Sequence, residues 1–348
     1  MKLYNISVII LCTNEKKYLK NNLTSLDRQT TKADSIYLLD NNSTDGSVEF
    51  VRKKFPRVKI IRNENNLGFA KANNIGLKTA FKNGSDFCLL LNPDTVSEKT
   101  MIEELIGTYQ KAKKHYQKVG LIQPVVLLFQ PKKIINTIGN TIHFLGYGYC
   151  RDYLKRYQPI KTDKKIVSVS GAAMLISKEF YYAVGELDED FFIYNEDQDL
   201  SWRGLIRGYN HFLSARSVVY HDYNFKRHGK KMLNAEKNRL IMVFKNYSTK
   251  TILLMTPILL VNEILMLVYS LFSGWFFQKI ISYYDFIKAI KKTIIKRNLI
   301  QRNRLTPDRQ IISQFDCRLE FKPLNNPIIN IIINSLYVFY SRIINKIV

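Results

Sequence analysis

The chain has 348 residues, 46% of them hydrophobic, which excludes a disordered polypeptide and allows one large domain or two unequal ones. Lys and Arg number 53 against 29 Asp and Glu, a formal net charge of +24. Such an excess favours anionic partners (nucleic acid, phosphorylated ligands or anionic lipid) without choosing among them. Cys12, Cys88, Cys150 and Cys317 lie far apart in no paired spacing. They read as buried thiols in a reducing compartment, not as a zinc site or a disulfide framework. The first residues run straight into a strand-like segment, so no signal peptide is read and a cytoplasmic location is expected.

Residues 6–11 form a β-branched apolar run, the pattern of a strand buried on both faces. Polar Thr13, Asn14 and Glu15 follow, then a helical stretch over residues 18–26. Residues 35–40 read as a second strand, a turn-rich segment covers 41–47, and a helix continues through Phe50. A third strand at 58–61, a helix at 69–81 and a fourth strand at 87–91 complete the alternation. This order predicts an α/β fold with a mainly parallel sheet flanked by helices. Ligands of such sheets bind beyond the carboxyl ends of the strands, so Thr13, Asp40 and Asn92 are expected on one edge.

From 119 to 220 the pattern is mixed. Residues 167–176 read as a strand with a Gly-Ala-Ala break, 188–202 as an acidic, aromatic helix opening, and 218–220 as a short strand ending at His221. After about residue 245 the composition shifts. Residues 251–277 are almost wholly apolar, interrupted by Pro257, Asn262 and Glu263. Residues 279–304 are rich in Lys and Arg, with Ile280, Tyr284, Ile287, Ile290 and Ile294 recurring at steps of three or four. That is an apolar stripe on a basic helix, as in helices that lie in a membrane interface. The tail from 326 to 348 is apolar with a few basic residues.

Several segments are suited to chemistry, and each has a plainer explanation. Asp40 at a strand end can accept hydrogen bonds from a nucleobase or a ribose, or it can belong to an Asx turn that caps the next helix. In Asn92-Pro93-Asp94, a rigid carboxylate can bind a hard divalent cation, or the tripeptide can simply be a turn. Glu196, Asp197 and Asp199 stand in an aromatic setting, where close carboxylates raise one another's pKa and suit one of them to general base work. The same acids equally favour a helix N-terminus. His221 can be a metal ligand or a structural histidine. Residues 63–76, with Asn66, Lys71 and Asn73, can contact phosphate through helix-start amides and Lys71, or can form an ordinary strand-to-helix turn.

In order along the chain, VIILCTNE (8–15), LDNNSTDGS (39–47), NNLGFAKANNIG (65–76), LLLNPDT (89–95), GAAMLI (171–176) and VGELDEDFFIYNEDQDLSWR (184–203) resemble glycosyltransferase family 2. This is the inverting group with the GT-A (Rossmann-like) fold, and the likeness is strongest to bacterial rhamnosyltransferase-like members. It covers about residues 1–245, with NRLIMVFKN (238–246) similar to the family's post-catalytic helix. The resemblance implies a donor half over about 1–118 and an acceptor half over about 119–245. It implies that Thr13, Asn14, Glu15 and Asp40, with Asn66, Lys71, Asn73 and Asn92, hold a nucleotide-sugar donor. Asn92 and Asp94 match the family's Asp-x-Asp motif with its first aspartate replaced. Asp94 would bind Mg2+ or Mn2+, His221 would be a further metal or diphosphate ligand, and Asp197 would be the catalytic base. Glu196 and Trp202 would contact or support the acceptor. Ala72 stands where the family often has glycine, a departure that bears on the donor pocket.

Residues 251–277 are long enough to span a bilayer, but an acid inside lipid is costly. The expected arrangement for 246–348 is therefore a helical, basic, membrane-associating region, attached monotopically to an anionic surface at the cytoplasmic face of a bacterial inner membrane. A single transmembrane span over 251–277 and a buried helix packed on the catalytic domain are the alternatives. A carbohydrate acceptor that is itself lipid-linked would explain such a surface. No nucleic-acid-binding motif is present, and nucleic acid is not an expected partner. A non-catalytic membrane or nucleotide-sugar-binding protein is the competing expectation.

Overall fold

A computed structural model describes residues 4–223, 229–319 and 329–348 of the chain. The largely apolar run of β1 (Ile6–Cys12), with Ser7 as its one polar residue, is held between parallel neighbours, as its composition requires. It is followed by α1 (Lys16–Asp27), β2 (Ser35–Asp40), α2 (Ser47–Lys54), β3 (Lys59–Arg62), α3 (Gly68–Lys82), β4 (Phe87–Leu91), β5 (Thr95–Ser97) and α4 (Met101–Lys113). The middle of the chain contributes β6 (Val119–Leu128), β7 (Ile135–Thr137), β8 (Asn140–Ile142), β9 (Gly148–Cys150), β10 (Lys164–Ile166), β11 (Ala173–Ser177), α5 (Lys178–Val184), α6 (Glu196–Ile206) and β12 (Asn210–His221). The rest is helical: α7 (Gly229–Asn246), α8 (Thr249–Phe272), α9 (Phe276–Arg302), α10 (Asp308–Ile312) and α11 (Asn334–Ile347).

The main sheet runs β10-β12-β6-β11-β4-β1-β2-β3. Strands β3, β2, β1 and β4 are parallel, as expected of the donor half. Strand β11 enters antiparallel between β4 and β6, so the sheet is mixed. One face is covered by α1 and α4 through Leu19, Leu23 and Leu105, the other by α3 and α5 through Leu77, Phe81 and Phe180. Strand β5 pairs with the end of β12, His221 opposite Thr95, and this register sets Asp94 beside His221.

Three elements differ from the sequence reading. The short strand at 218–220 is the end of a strand twelve residues long, because its first half pairs with β6 through a bulge. The strand expected over 167–176 begins only at Ala173. The helix expected from 188 starts at Glu196, because Phe192, Tyr194 and Asn195 all adopt positive φ and break it. Residues 189–191 form a 3-10 turn instead.

The apolar stretch at 251–277 divides between α8 and α9 at a turn holding Gly274, whose φ is +75°. Helix α8 is long and apolar enough to cross a membrane, yet Asn262 and Glu263 in its middle turn inward. Asn262 bonds the hydroxyls of Tyr147 and Tyr337, each at 2.8 Å. Glu263 pairs with Arg239 at 2.5 Å and Lys279 at 2.7 Å. Burial opposes the Glu263 charge, but Arg239 and Lys279 outweigh it and hold the carboxyl at about 2. The faces of α9 are likewise reversed from those of a core helix. Lys279, Ser282, Thr293 and Arg297 are buried, while Ile280, Tyr284, Ile287 and Ile294 are exposed. Most of the stripe read from the sequence therefore faces outward. A third apolar cluster joins these helices to the rest of the molecule through Phe144, Trp202, Tyr247, Ile258 and Phe315.

Replacing Lys279 by Met leaves Glu236 and Glu263 buried together with Arg239 alone. A loss of about 3 kcal/mol of unfolding free energy is expected in chemical denaturation, since an uncompensated buried charge is costly.

Candidate active site

The loops after β1 and β2 are zipped together. Asn14, at φ +58°, accepts the Thr44 amide on Oδ1 at 2.7 Å. Its own amide donates to Ser43 Oγ at 3.0 Å, and the Lys16 amide donates to Asp45 Oδ2 at 2.9 Å. The Asn14 side chain thus builds the loop. Asp40 is fully buried at the end of β2. Its Oδ1 accepts the Ser43 amide, while Oδ2 has no hydrogen bond, only the Arg62 guanidinium at 3.4 Å. A carboxylate oxygen at a strand end that lacks a hydrogen bond can accept one from a ligand N–H or hydroxyl. Thr13 is half-buried beside it, its amide 3.3 Å from Glu15 Oε2. Burial pushes the Glu15 carboxyl up to about 7, the Thr13 amide opposing and the charges of Asp94 and Asp45 adding to the shift.

The start of α3 takes the plainer of the two forms read from the sequence, a strand-to-helix turn. The Phe69 and Ala70 amides both point at the carbonyl of Phe192, at 2.6 and 3.3 Å. They are thereby withdrawn from the phosphate contact expected of them. Gly68, at φ +76°, permits this approach, since a Cβ there would lie 2.5 Å from the Phe192 ring. Asn66 Oδ1 accepts from Asn41 and the Gly68 amide, and Asn73 bonds the Phe69 carbonyl within its own helix. Lys71 is exposed.

After β4, the Asn92 amide donates to the Ala172 carbonyl at 2.9 Å. The Asn92 carbonyl accepts from buried Asn22 at 3.1 Å. Asp94 Oδ1 lies 3.2 Å from His221 Nε2 and has no hydrogen bond of its own. The far nitrogen of the ring, Nδ1, faces Asn136 Oδ1 at 2.8 Å. Oriented so, Asn136 takes the Nδ1 proton, and Nε2 turns a lone pair towards Asp94. A buried oxygen and an imidazole lone pair facing one another fit a shared cation. Adjacent ligands on an octahedral Mg2+ at about 2.1 Å stand about 3 Å apart, close to the separation here. Among the described residues there is no cluster of three or more His, Cys, Asp or Glu that could hold a metal.

The acidic segment is held next to this pair. Asp197 Oδ2 accepts the Gly171 amide and Oδ1 the Gln198 amide, both at 2.8 Å. Gly171 is the neighbour of Ala172, whose carbonyl anchors Asn92, so one short segment fixes both sides of the site. Burial raises the Asp197 carboxyl, opposed by these amides. Glu196 is raised well above its usual value, by burial first and then by Asp197, and its Oε2 has no partner. The two resist carrying two negative charges together. Trp202 does not face this site. It is fully buried, with Tyr247 and Phe315 edge-on at 4.6 and 4.8 Å, and it supports the helix from behind.

Reasoning from the sequence missed Asn22, Asn136 and the amide of Gly171. Asn22 left a trace, since it interrupts the apolar face of α1 between Leu19 and Leu23. Asn136 and the Gly171 amide left none, because their roles depend on chain segments distant in sequence.

The family model for glycosyl transferase family 2 matches residues 7–182. The chain belongs to that family. An N-acetylglucosaminyl-diphospho-decaprenol L-rhamnosyltransferase of Mycobacterium tuberculosis is 23% identical over 241 residues, covering 62% of this chain and 76% of that one. Among solved structures, GalNAc-T7 with UDP, GalNAc and Mn2+ matches at TM-score 0.56 and 19% identity, covering 70% of this chain and 48% of that one. S. aureus TarS matches at TM-score 0.52 and 13% identity, covering 98% and 55%. The chain thus spans about half the length of these solved structures, and the likeness shows a shared GT-A fold.

Glu15 offers a test of the site's electrostatics. Its folded-state pKa is raised, so the native state holds a proton that the unfolded chain releases, and this contribution is lost as pH rises towards about 7. In metal-free buffer, the melting temperature of Glu15→Gln relative to wild type is expected to rise between pH 5 and pH 8. A pH-independent difference would contradict the assignment.

Proposed function

We propose that this glycosyltransferase moves a sugar, with inversion, from dTDP-rhamnose or a UDP-sugar onto a hydroxyl of a lipid-linked saccharide at a membrane surface. The observation that carries it is the fixed relation of Asp197 to the Asp94–His221 pair across residues 171 and 172. Glu15 and Asp40 lie at the ends of neighbouring strands of the same edge.

In this reading Asp40 and Thr13 take the nucleoside, and Asp94 with His221 hold Mg2+ or Mn2+. When bound, the cation neutralises the diphosphate and favours its departure. Asp197 accepts the proton of the acceptor hydroxyl as that oxygen bonds to the anomeric carbon. The bond from the anomeric carbon to the diphosphate oxygen breaks on the opposite face, which inverts the centre. The Gly171 and Gln198 amides hold the Asp197 oxygens in place, and the raised pKa makes Asp197 a stronger base than an exposed aspartate. Burial first, and then Asp197, raise the Glu196 carboxyl well above its usual range, so the pair resists carrying two negative charges. The mycobacterial relative, an N-acetylglucosaminyl-diphospho-decaprenol L-rhamnosyltransferase, supports a rhamnosyl donor and a diphospholipid acceptor.

Monotopic attachment is supported by the reversed faces of α8 and α9. Leu253, Leu260, Ile264 and Phe272 on α8 are 68%, 60%, 62% and 83% exposed, while Asn262 and Glu263 are engaged inside. A soluble protein seldom presents so continuous an apolar face, and the basic residues of α9 suit anionic headgroups.

Asp197→Asn is expected to lower the transfer rate at least about a hundredfold while nucleotide binding persists. Unchanged turnover would remove the base assignment. Wild type is expected to sediment with vesicles containing anionic lipid, more weakly at high salt. Phe272→Ser combined with Phe277→Ser should shift it to the supernatant. A wild type indifferent to vesicles would refute the attachment.

A further inference from the structure

The acceptor side of Asp197 is walled by side chains outside the machinery described so far. The Gly148 backbone of β9 abuts the Gln198 side chain. With a strand's period of two, Cys150 faces the same way. Its thiol is pushed up to about 12, by burial first and then by the charge of Asp197. The Lys231 ammonium lies 5.3 Å from the ring centre of Tyr194 and 5.9 Å from that of Tyr223. Tyr223 in turn stacks 5.4 Å from His221. The Tyr223 ring thus reaches from His221 to Lys231, within range of the Asp197 charge. Burial lowers the Lys231 pKa, and Cys150 opposes the change.

The membrane-facing surface meets this cradle. Glu236 lies five residues after Lys231 on α7, about 7.5 Å along the helix. It pairs with Lys279, two residues from Phe277, which is 77% exposed. The cradle therefore lies at the level where lipid headgroups would stand. A half-buried ammonium set against two rings is a point charge for phosphate in a place partly closed to water.

We propose that Lys231, framed by Tyr194 and Tyr223, contacts the phosphate of a lipid-diphosphate-linked acceptor and so selects phosphate-bearing acceptors over neutral glycosides. The acceptor hydroxyl sits at Asp197, and the phosphate on the far side of the same sugar ring meets Lys231. This inference rests on the glycosyl-transfer reading of the site.

The test uses the full chain saturated with UDP and Mn2+, with farnesyl diphosphate as probe and farnesol as its uncharged control. Wild type is expected to bind the diphosphate with UDP in place. Lys231→Met should weaken that binding at least about tenfold, as loss of a charged hydrogen bond does. Lys231→Arg should restore most of it, and farnesol and UDP binding should not change in either variant. Displacement of the probe by UDP would place it in the donor site and overturn the proposal. Equal loss for farnesol and farnesyl diphosphate would do the same, by showing a packing role. A wild type that binds neither UDP nor nucleotide sugars would refute the glycosyl-transfer reading instead, while the farnesyl comparison would still report on Lys231.

Discussion

The geometry of the site depends on one buried cation. Lys245 on α7 pairs with Asp188 at 2.5 Å and Asp199 at 2.9 Å, and all three side chains are nearly or fully buried. Asp199 also takes Arg203 at 2.7 Å, whose other nitrogens hold the carbonyls of Val184 and Glu186. Lys296 on α9 joins Asp188 from outside. The segment that precedes Asp197 is thus gripped by α6, α7 and α9 together. Such a network adds little net stability over an apolar core, but removing any one partner strands a charge in low dielectric. The arrangement is accordingly sharply specified.

That specification bears on a strained strap. Phe192 and Tyr194 adopt positive φ, which side chains of this size avoid, and so does Asn195, whose short side chain tolerates it. A single amide group, Asn238 Nδ2, donates to the carbonyls of Phe191, Ile193 and Tyr194 at 2.9, 3.0 and 2.7 Å. Asn74 clasps Leu187 through both its amide atoms. The turned-out Phe192 carbonyl then caps α3. The strap therefore links the start of α3, the segment before Asp197 and helix α7 through hydrogen bonds.

The large positive charge divides into two roles. Arg239, Lys245, Lys279 and Arg297 are buried and neutralise internal carboxylates or cap carbonyls. Exposed lysines of α9, such as Lys288, Lys291 and Lys292, flank the outward apolar stripe. An amphipathic helix whose charged side is partly buried and whose apolar side is exposed is stable only if something other than water covers that apolar side.

The amino-acid sequence determined the donor-half fold, because strand and helix periodicity depends only on local backbone geometry. It also determined which residues fall at strand ends, and through its ordered motifs the family. It marked the apolar stripe of α9 but not the direction that stripe faces, since period alone does not say which neighbour a helix meets. It marked the helix-start amides of α3 but not their capture by Phe192, more than a hundred residues away. The pairing of Asp94 with His221 came from the β5–β12 register, and the hold on Asp197 from the Gly171 amide. Both were decided by tertiary structure, because each joins atoms that only the folded sheet brings within hydrogen-bond distance.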